Sequence, residues 1–309
     1  MSARSEWSVT EPRTLEIEEP VRELDVRVVS GTVNVVGVPA GSVPGSGAAR
    51  VEVTALHGPP LTVSCRDGVL SVGYKDLPWK GWLDFGKLKG WRRTAVVSVT
   101  VPAATGVRVG VVGAGAVISG ISGRTQLNGV SGGSTLVGLT GPVRAETVSG
   151  DVQAQAVTGD LRFSSVSGDL TVVDGAGASV RAESVSGDMV LDLDLPPAAG
   201  PGGTGRTDVK LTTVSGEVAI RLPDPADAQV DAQVEANTTS GTVANAFEDL
   251  RVSGQWGAKR ITGRLGAGNG RLEVTTVSGG LALLRRPPSH DGPVRHGDTD
   301  ETPADKKVL

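Results

Sequence analysis

Residues 148–172 read V-S-G-D-V-Q-A-Q-A-V-T-G-D-L-R-F-S-S-V-S-G-D-L-T-V. The apolar positions are Val148, Val152, Ala154, Val157, Leu161, Phe163, Val166, Leu170 and Val172, so the intervals run 4, 2, 3, 4, 2, 3, 4, 2. A step of two is strand alternation and places both side chains on one face. The longer steps carry the chain round a corner, and a Gly stands at each corner. No 3.6-residue helical period fits. Working outward, Ser/Thr-Gly pairs recur every nine residues at Ser122-Gly123, Ser131-Gly132, Thr140-Gly141, Ser149-Gly150, Thr158-Gly159 and Ser167-Gly168. Alternate pairs are preceded by Val130, Val148 and Val166, so the full repeat is 18 residues. It continues with slips at Val185-Ser186-Gly187, Val214-Ser215-Gly216, Thr239-Ser240-Gly241 and Val277-Ser278-Gly279, with an early copy at Val29-Ser30-Gly31.

A short fixed period of this kind marks a solenoid. The pattern predicts an all-β protein, a parallel β-solenoid (β-helix) with ~18-residue, two-strand rungs stacked in register at ~4.8 Å. A hexapeptide helix is excluded: counting by six from Val148 gives Ala154 and then Asp160. One rung cannot bury enough to fold alone, so stacking has to supply the rest, and the end rungs need caps.

The chain divides accordingly. Residues 1–12 read as a leader, and 13–110 as irregular β strands forming an N-terminal cap or less regular rungs, including a basic aromatic loop at 74–93. Residues 111–285 hold the solenoid repeats, with a flexible loop at 194–209, a register break at 242–270 and a last strand that closes the coil. Residues 286–309, Pro-rich and charged, read as a disordered tail.

Composition agrees. In 309 residues there are 44 Gly and 18 Pro, about one in five, without a G-X-Y triplet. Nine aromatics leave the core to Val, Leu, Ile and Ala. A net charge of −4 argues against a nucleic-acid binder. One cysteine, Cys65, excludes an internal disulfide framework and reads as a packed thiol. No signal peptide or apolar spanning run is visible, which predicts a cytoplasmic protein, peripheral to a membrane at most.

The runs T-V-S-G-D-V, S-V-S-G-D-L, T-V-S-G-E-V and the closing G-N-G-R-L-E-V-T-T-V-S-G-G-L resemble the bacterial β-strand-repeat family called "putative adhesin" or toastrack domains, over roughly residues 15–285. The resemblance implies a sheet-wrapped β-solenoid and an association with envelope-stress systems of the phage-shock and Lia type. It brings no catalytic residues.

The candidate chemistry is sparse. Asp151, Asp169, Asp188 and Glu217 each follow V-S-G and form a carboxylate ladder if the rungs register, a weak candidate for a divalent cation. Gly129–Gly133 matches G-x-S-x-G, but it is one unit of the repeat, with no His between residues 58 and 289. Gly200–Gly205 matches G-x-G-x-x-G in a Pro/Gly loop that leads to a strand, not a helix. Neither predicts a cofactor, and none is expected.

The segment 74–93 is unusual. It concentrates Trp79, Trp82, Phe85 and Trp91 with Lys80, Lys87, Lys89, Arg92 and Arg93. Trp with Lys or Arg suits an anionic membrane interface or an acidic partner; the same residues could equally cap the solenoid. The sequence therefore predicts no enzyme but a scaffold, sensing or interaction module that binds a protein partner or itself. A surface adhesin and a carbohydrate-active β-helix enzyme are the alternatives.

Overall fold

The computed structural model describes residues 5–43, 48–74, 93–177, 179–195, 207–224, 230–255 and 257–286. Among them are 24 β-strands and no helix, joined in one continuous, mostly parallel sheet. The sheet folds into two facing walls around a single hydrophobic core that runs from Val9 to Leu283.

The walls diverge from two long strands, β3 (Glu23–Val38) and β8 (Gly106–Ser119). The first half of each lies in the first wall and the second half in the second wall. Leu24 pairs with Val107 in the first wall and Val35 with Ile118 in the second. Beyond β3 the first wall continues through β6 (Val69–Gly73), β5 (Leu61–Arg66) and β1 (Ser5–Val9). The second continues through β7 (Thr94–Pro102), β4 (Ala49–His57) and β2 (Arg13–Ile17). The outer pairs in both walls are antiparallel, so the irregular N-terminal region extends the same sheet and closes its end.

On the other side of β8 the rungs are regular. The first wall stacks β9 (Thr125–Gly129), β11 (Val143–Thr147), β13 (Leu161–Ser164), β15 (Ser179–Glu183) and β17 (Asp208–Thr213). The second stacks β10 (Ser134–Val137), β12 (Val152–Gln155), β14 (Leu170–Gly175), β16 (Met189–Leu193) and β18 (Val218–Leu222). All of these pairs are parallel, and apart from a bulge between Val172 and Gly175 they are in register: Leu127 over Ala145, Ala145 over Phe163, Phe163 over Ala182. The large Phe163 ring is accommodated because alanines lie above and below it, and all three are fully buried.

The chain does not finish at the end of the coil. The next rung in sequence is β19 (Ala232–Thr238) with β20 (Val243–Asn245), and the hairpin β21 (Leu250–Gln255) and β22 (Ala258–Leu265) follows. Then β23 (Arg271–Thr276) and β24 (Leu281–Arg285) insert between the two preceding rungs. Leu211 pairs with Val274, which pairs with Ala236; Ile220 pairs with Leu283, which pairs with Asn245. The expectation that the last strand closes the coil is therefore corrected. The last rung is internal, and β22, antiparallel on β19, covers the end of the first wall.

The return turn into β23 is held by Asp231, which is 4% exposed. Its carboxylate accepts from the Asn269 backbone N–H at 2.7 Å and from the Asn269 side-chain amide at 2.8 Å. Burial alone would raise the Asp231 pKa, but these bonds and one from the Gly268 N–H outweigh it and hold the group below the usual carboxylate range. That contribution to stability is present above the ordinary carboxylate pKa and is lost as pH falls through the lowered value. At the far end of β24, Arg286 donates to Asp194 at 2.9 Å and also pairs with Asp192, which Arg221 engages in turn at 3.0 Å. Three neighbouring strands of the second wall are thereby tied side by side.

The corner glycines set how closely rungs approach. A methyl on Gly216 would overlap the carbonyl oxygen of Gly187 in the rung below, whereas one on Gly133 would meet nothing within 4 Å. Gly216→Ala is therefore expected to lower unfolding free energy by about 1–3 kcal/mol through overpacking against backbone. Gly133→Ala is expected to stay within about 0.5 kcal/mol of the wild type. Chemical denaturation of the two variants checks both.

Candidate functional surfaces

The V-S-G-D corner accounts for its own residues one by one. The residue before the valine points inward, and its hydroxyl accepts from the corner glycine N–H. Ser165 accepts from Gly168 at 2.8 Å, Ser184 from Gly187 at 2.9 Å, Thr213 from Gly216 at 3.2 Å, Thr238 from Gly241 at 2.9 Å and Thr276 from Gly279 at 3.0 Å. This is a side-chain-to-backbone turn that leaves the buried hydroxyl satisfied.

The valine itself points out. Val166, Val185, Val214 and Val277 are 51%, 49%, 46% and 46% exposed, and Val148 is half-buried. The reading of Val148 and Val166 as core is thus corrected. Val152, Ala154, Val157, Leu161, Phe163, Leu170 and Val172 are buried as expected. The corner serine donates its hydroxyl to a carbonyl of the preceding rung: Ser149 to Val130 at 3.1 Å, Ser167 to Val148 at 3.4 Å, Ser186 to Val166 at 3.3 Å and Ser215 to Val185 at 3.3 Å. Ser131 of the G-x-S-x-G match donates to Val112 at 3.1 Å in the same way, so its hydroxyl is a structural donor like the others.

The carboxylates do stack. Asp151 accepts from the Asp169 N–H at 3.0 Å, Asp169 from the Asp188 N–H at 2.8 Å and Asp188 from the Glu217 N–H at 2.7 Å. Each aspartate thus uses one oxygen to satisfy the backbone of the next rung, and the ladder is a run of inter-rung hydrogen bonds on an exposed edge. Among the described residues no group of three or more His, Cys, Asp or Glu side chains is placed to hold a metal ion.

A second ladder escaped the sequence reading. In-register pairing lines up Arg108, Gln126, Arg144, Arg162, Arg181 and Lys210 along the outer side of the first wall. Arg144 pairs with Glu146, Arg181 with Asp208 at 3.2 Å and Lys210 with Glu273 at 3.2 Å. For Arg162 no carboxylate lies within ion-pair distance among the described residues. The 18-residue spacing from Arg108 through Gln126 and Arg144 to Arg162 was the available signal.

The second wall is different. Its central outward row is Asn34, Val117, Thr135, Gln153, Thr171, Val190, Ala219 and Ala282, with no charge. Beside it Val36 and Val173 are exposed. One molecule therefore carries a row of cations on the first wall and an uncharged central row on the second.

Of the basic aromatic segment, Trp79, Lys80, Trp82, Phe85, Lys87, Lys89, Trp91 and Arg92 lie outside the described residues, as does the G-x-G-x-x-G match at 200–205. The two ends of the segment are placed. Tyr74 follows β6 in the first wall, Arg93 precedes β7 in the second, and the Arg93 guanidinium lies 5.3 Å from the centre of the Tyr74 ring. The two described ends thus lie side by side near the N-terminal end.

Cys65 is buried in β5. Burial, with Glu19 beside it as hydrogen-bond acceptor and negative charge, pushes the thiol up to about 11. No helix among the described residues is long and apolar enough to cross a membrane.

No family model and no curated protein matches the chain. Among solved structures the chain is similar to a "putative cell adhesion protein" from Clostridium sporogenes, at 11% identity and a TM-score of 0.25, over 89% of this chain and 100% of that one. A likeness that slight fixes neither fold nor function.

Two outcomes follow from this geometry. Asp169→Ala leaves the Asp188 N–H without its acceptor and is expected to cost about 1 kcal/mol, whereas Asp169→Asn keeps an acceptor and stays near wild type. Thermal melts of the two variants, with and without millimolar calcium, are expected to show that difference and no calcium shift. Cys65 is expected to resist a disulfide reagent at pH 8, where about one thiol in a thousand is ionised, and to react fully once the chain is unfolded in denaturant.

Proposed function

We propose that the protein is a non-enzymatic β-solenoid scaffold that presents rigid walls to a protein partner or to further copies of itself. The observation that carries this is how the polar groups are divided. The corner serines and aspartates bond neighbouring rungs, while the outward rows of both walls stand at a fixed pitch and face away from the core. A groove of convergent acid, base and nucleophile, which catalysis would need, is not what these rows form.

The V-S-G-D and V-S-G-G motifs support a finer version: a cytoplasmic sensing module of toastrack type, linked to envelope stress. The Trp- and Lys-rich segment 75–92 adds peripheral contact with anionic lipid to that proposal, since the rings suit headgroup depth and the cations an anionic leaflet.

The test places charge on the uncharged central row of the second wall. Tagged wild type and a Gln153→Arg/Thr171→Arg variant are used for cross-linked capture from the source cells. The two substitutions sit on adjacent strands at exposed or half-buried outward positions, so the fold is expected to survive, which a melt checks. A set of proteins held by wild type and lost from the variant supports the proposal. Equal capture by both, or none by either, overturns the role of this wall.

A further inference from the structure

Four successive rungs each carry one cation on the first wall and, seven residues later, one carboxylate at the corner: Arg144 and Asp151, Arg162 and Asp169, Arg181 and Asp188, Lys210 and Glu217. The cations are aligned by strand register and the carboxylates by the hydrogen bonds between rungs. Two ladders of equal length and opposite sign therefore run along the same rungs, at the same ~4.8 Å pitch. Like charges directly opposite across strands destabilise a sheet. The internal partners of Arg144, Arg181 and Lys210 form solvent-accessible, partly exposed pairs, which hold weakly, and Arg162 has none among the described residues.

We propose that the corner of one copy docks along the first wall of a second copy, carboxylate ladder against cation ladder. This rests on the scaffold reading above and names its partner as the same chain. A second copy is the surface whose pitch matches by construction, so all four pairs form together. Beside the carboxylates the same corner exposes Val166, Val185 and Val214, and the aliphatic stems of the partner's arginines offer apolar cover for them. A linear polyanion fits less well: it would leave the carboxylate ladder unmatched and would approach a chain of net charge −4. The contact uses two different patches, so it is heterologous and extends into rows of solenoids lying side by side.

The test uses purified full-length chain in sedimentation at low and high ionic strength. Wild type is expected to form concentration-dependent species larger than a dimer at low salt, dissociating as salt screens the ladders. Two variants each remove three of the four charges of one ladder: Arg144→Gln/Arg162→Gln/Arg181→Gln and Asp151→Asn/Asp169→Asn/Asp188→Asn. Melting and circular dichroism confirm that both fold, and the Asn side chains keep acceptors for the backbone. Each variant alone is expected to be monomeric, with association weakened at least about tenfold. An equimolar mixture is expected to give a one-to-one complex and nothing larger, because only one pair of complete, complementary ladders remains.

Monomeric wild type at low salt, assembly that survives in either variant, or a mixture that stays monomeric would overturn the proposal. So would saturable capture of heparin by a chain that never self-associates. The capture experiment on the second wall changes other residues and reads another partner, so the two readings fail separately.

Discussion

Everything in this molecule depends on how closely one corner can sit on the next. At each V-S-G from Val130 onward the serine N–H and hydroxyl both reach a carbonyl of the neighbouring rung, as when Ser167 bonds Val148, and the glycine lets the backbones come together. The inward Ser or Thr then closes the turn from inside. The corner is thus a short block of hydrogen bonds repeated along the axis, and it keeps the strands of both walls in register. Where register is kept, like residues fall above like, and the aliphatic core forms as continuous stacks. Loss of one corner would shift every row beyond it.

The same constraint decides what the surface can do. A repeating unit that spends its serines and aspartates on its neighbours has few polar groups left to converge on a substrate. What remains outward is linear: a cation row, a carboxylate row, a valine row and an uncharged row. Rows of that kind suit recognition of another extended surface, where many weak contacts at one pitch add up. Each exposed pair alone contributes little.

Much of this was legible in the sequence, for a physical reason. Strand alternation and an 18-residue period put Val152, Leu161 and Phe163 inward, and they are inward. Val166 misled because apolar character was taken as burial at a corner. The inward position there belongs to the half-buried Ser165, whose hydroxyl the Gly168 N–H satisfies, and a satisfied polar group leaves no trace in an apolar pattern. The order of the rungs was also hidden. A repeat says that a rung exists but not which neighbours it has, and the Asp231–Asn269 turn that sends the last rung back into the stack is not itself part of the repeat. The arginine row was visible as a period but lay on the side that a search for a core passes over.

The two ends of the stack complete the picture. At the N-terminal end both walls finish in antiparallel strands, β5 and β1 on one side, β4 and β2 on the other. At the opposite end β22 and β21 run antiparallel over the first wall, and the second wall stops at the three-residue β20. Short and antiparallel edge strands break the parallel register that another rung would need. Insertion of β23 and β24 inside the stack, instead of at its tip, has the same effect, because the final repeat is not left as a free template. Growth along the axis is thereby discouraged by the fold itself, while the long sides stay open. Under the proposal above, contact with a second copy is therefore made sideways, along the rows that the corners hold in line.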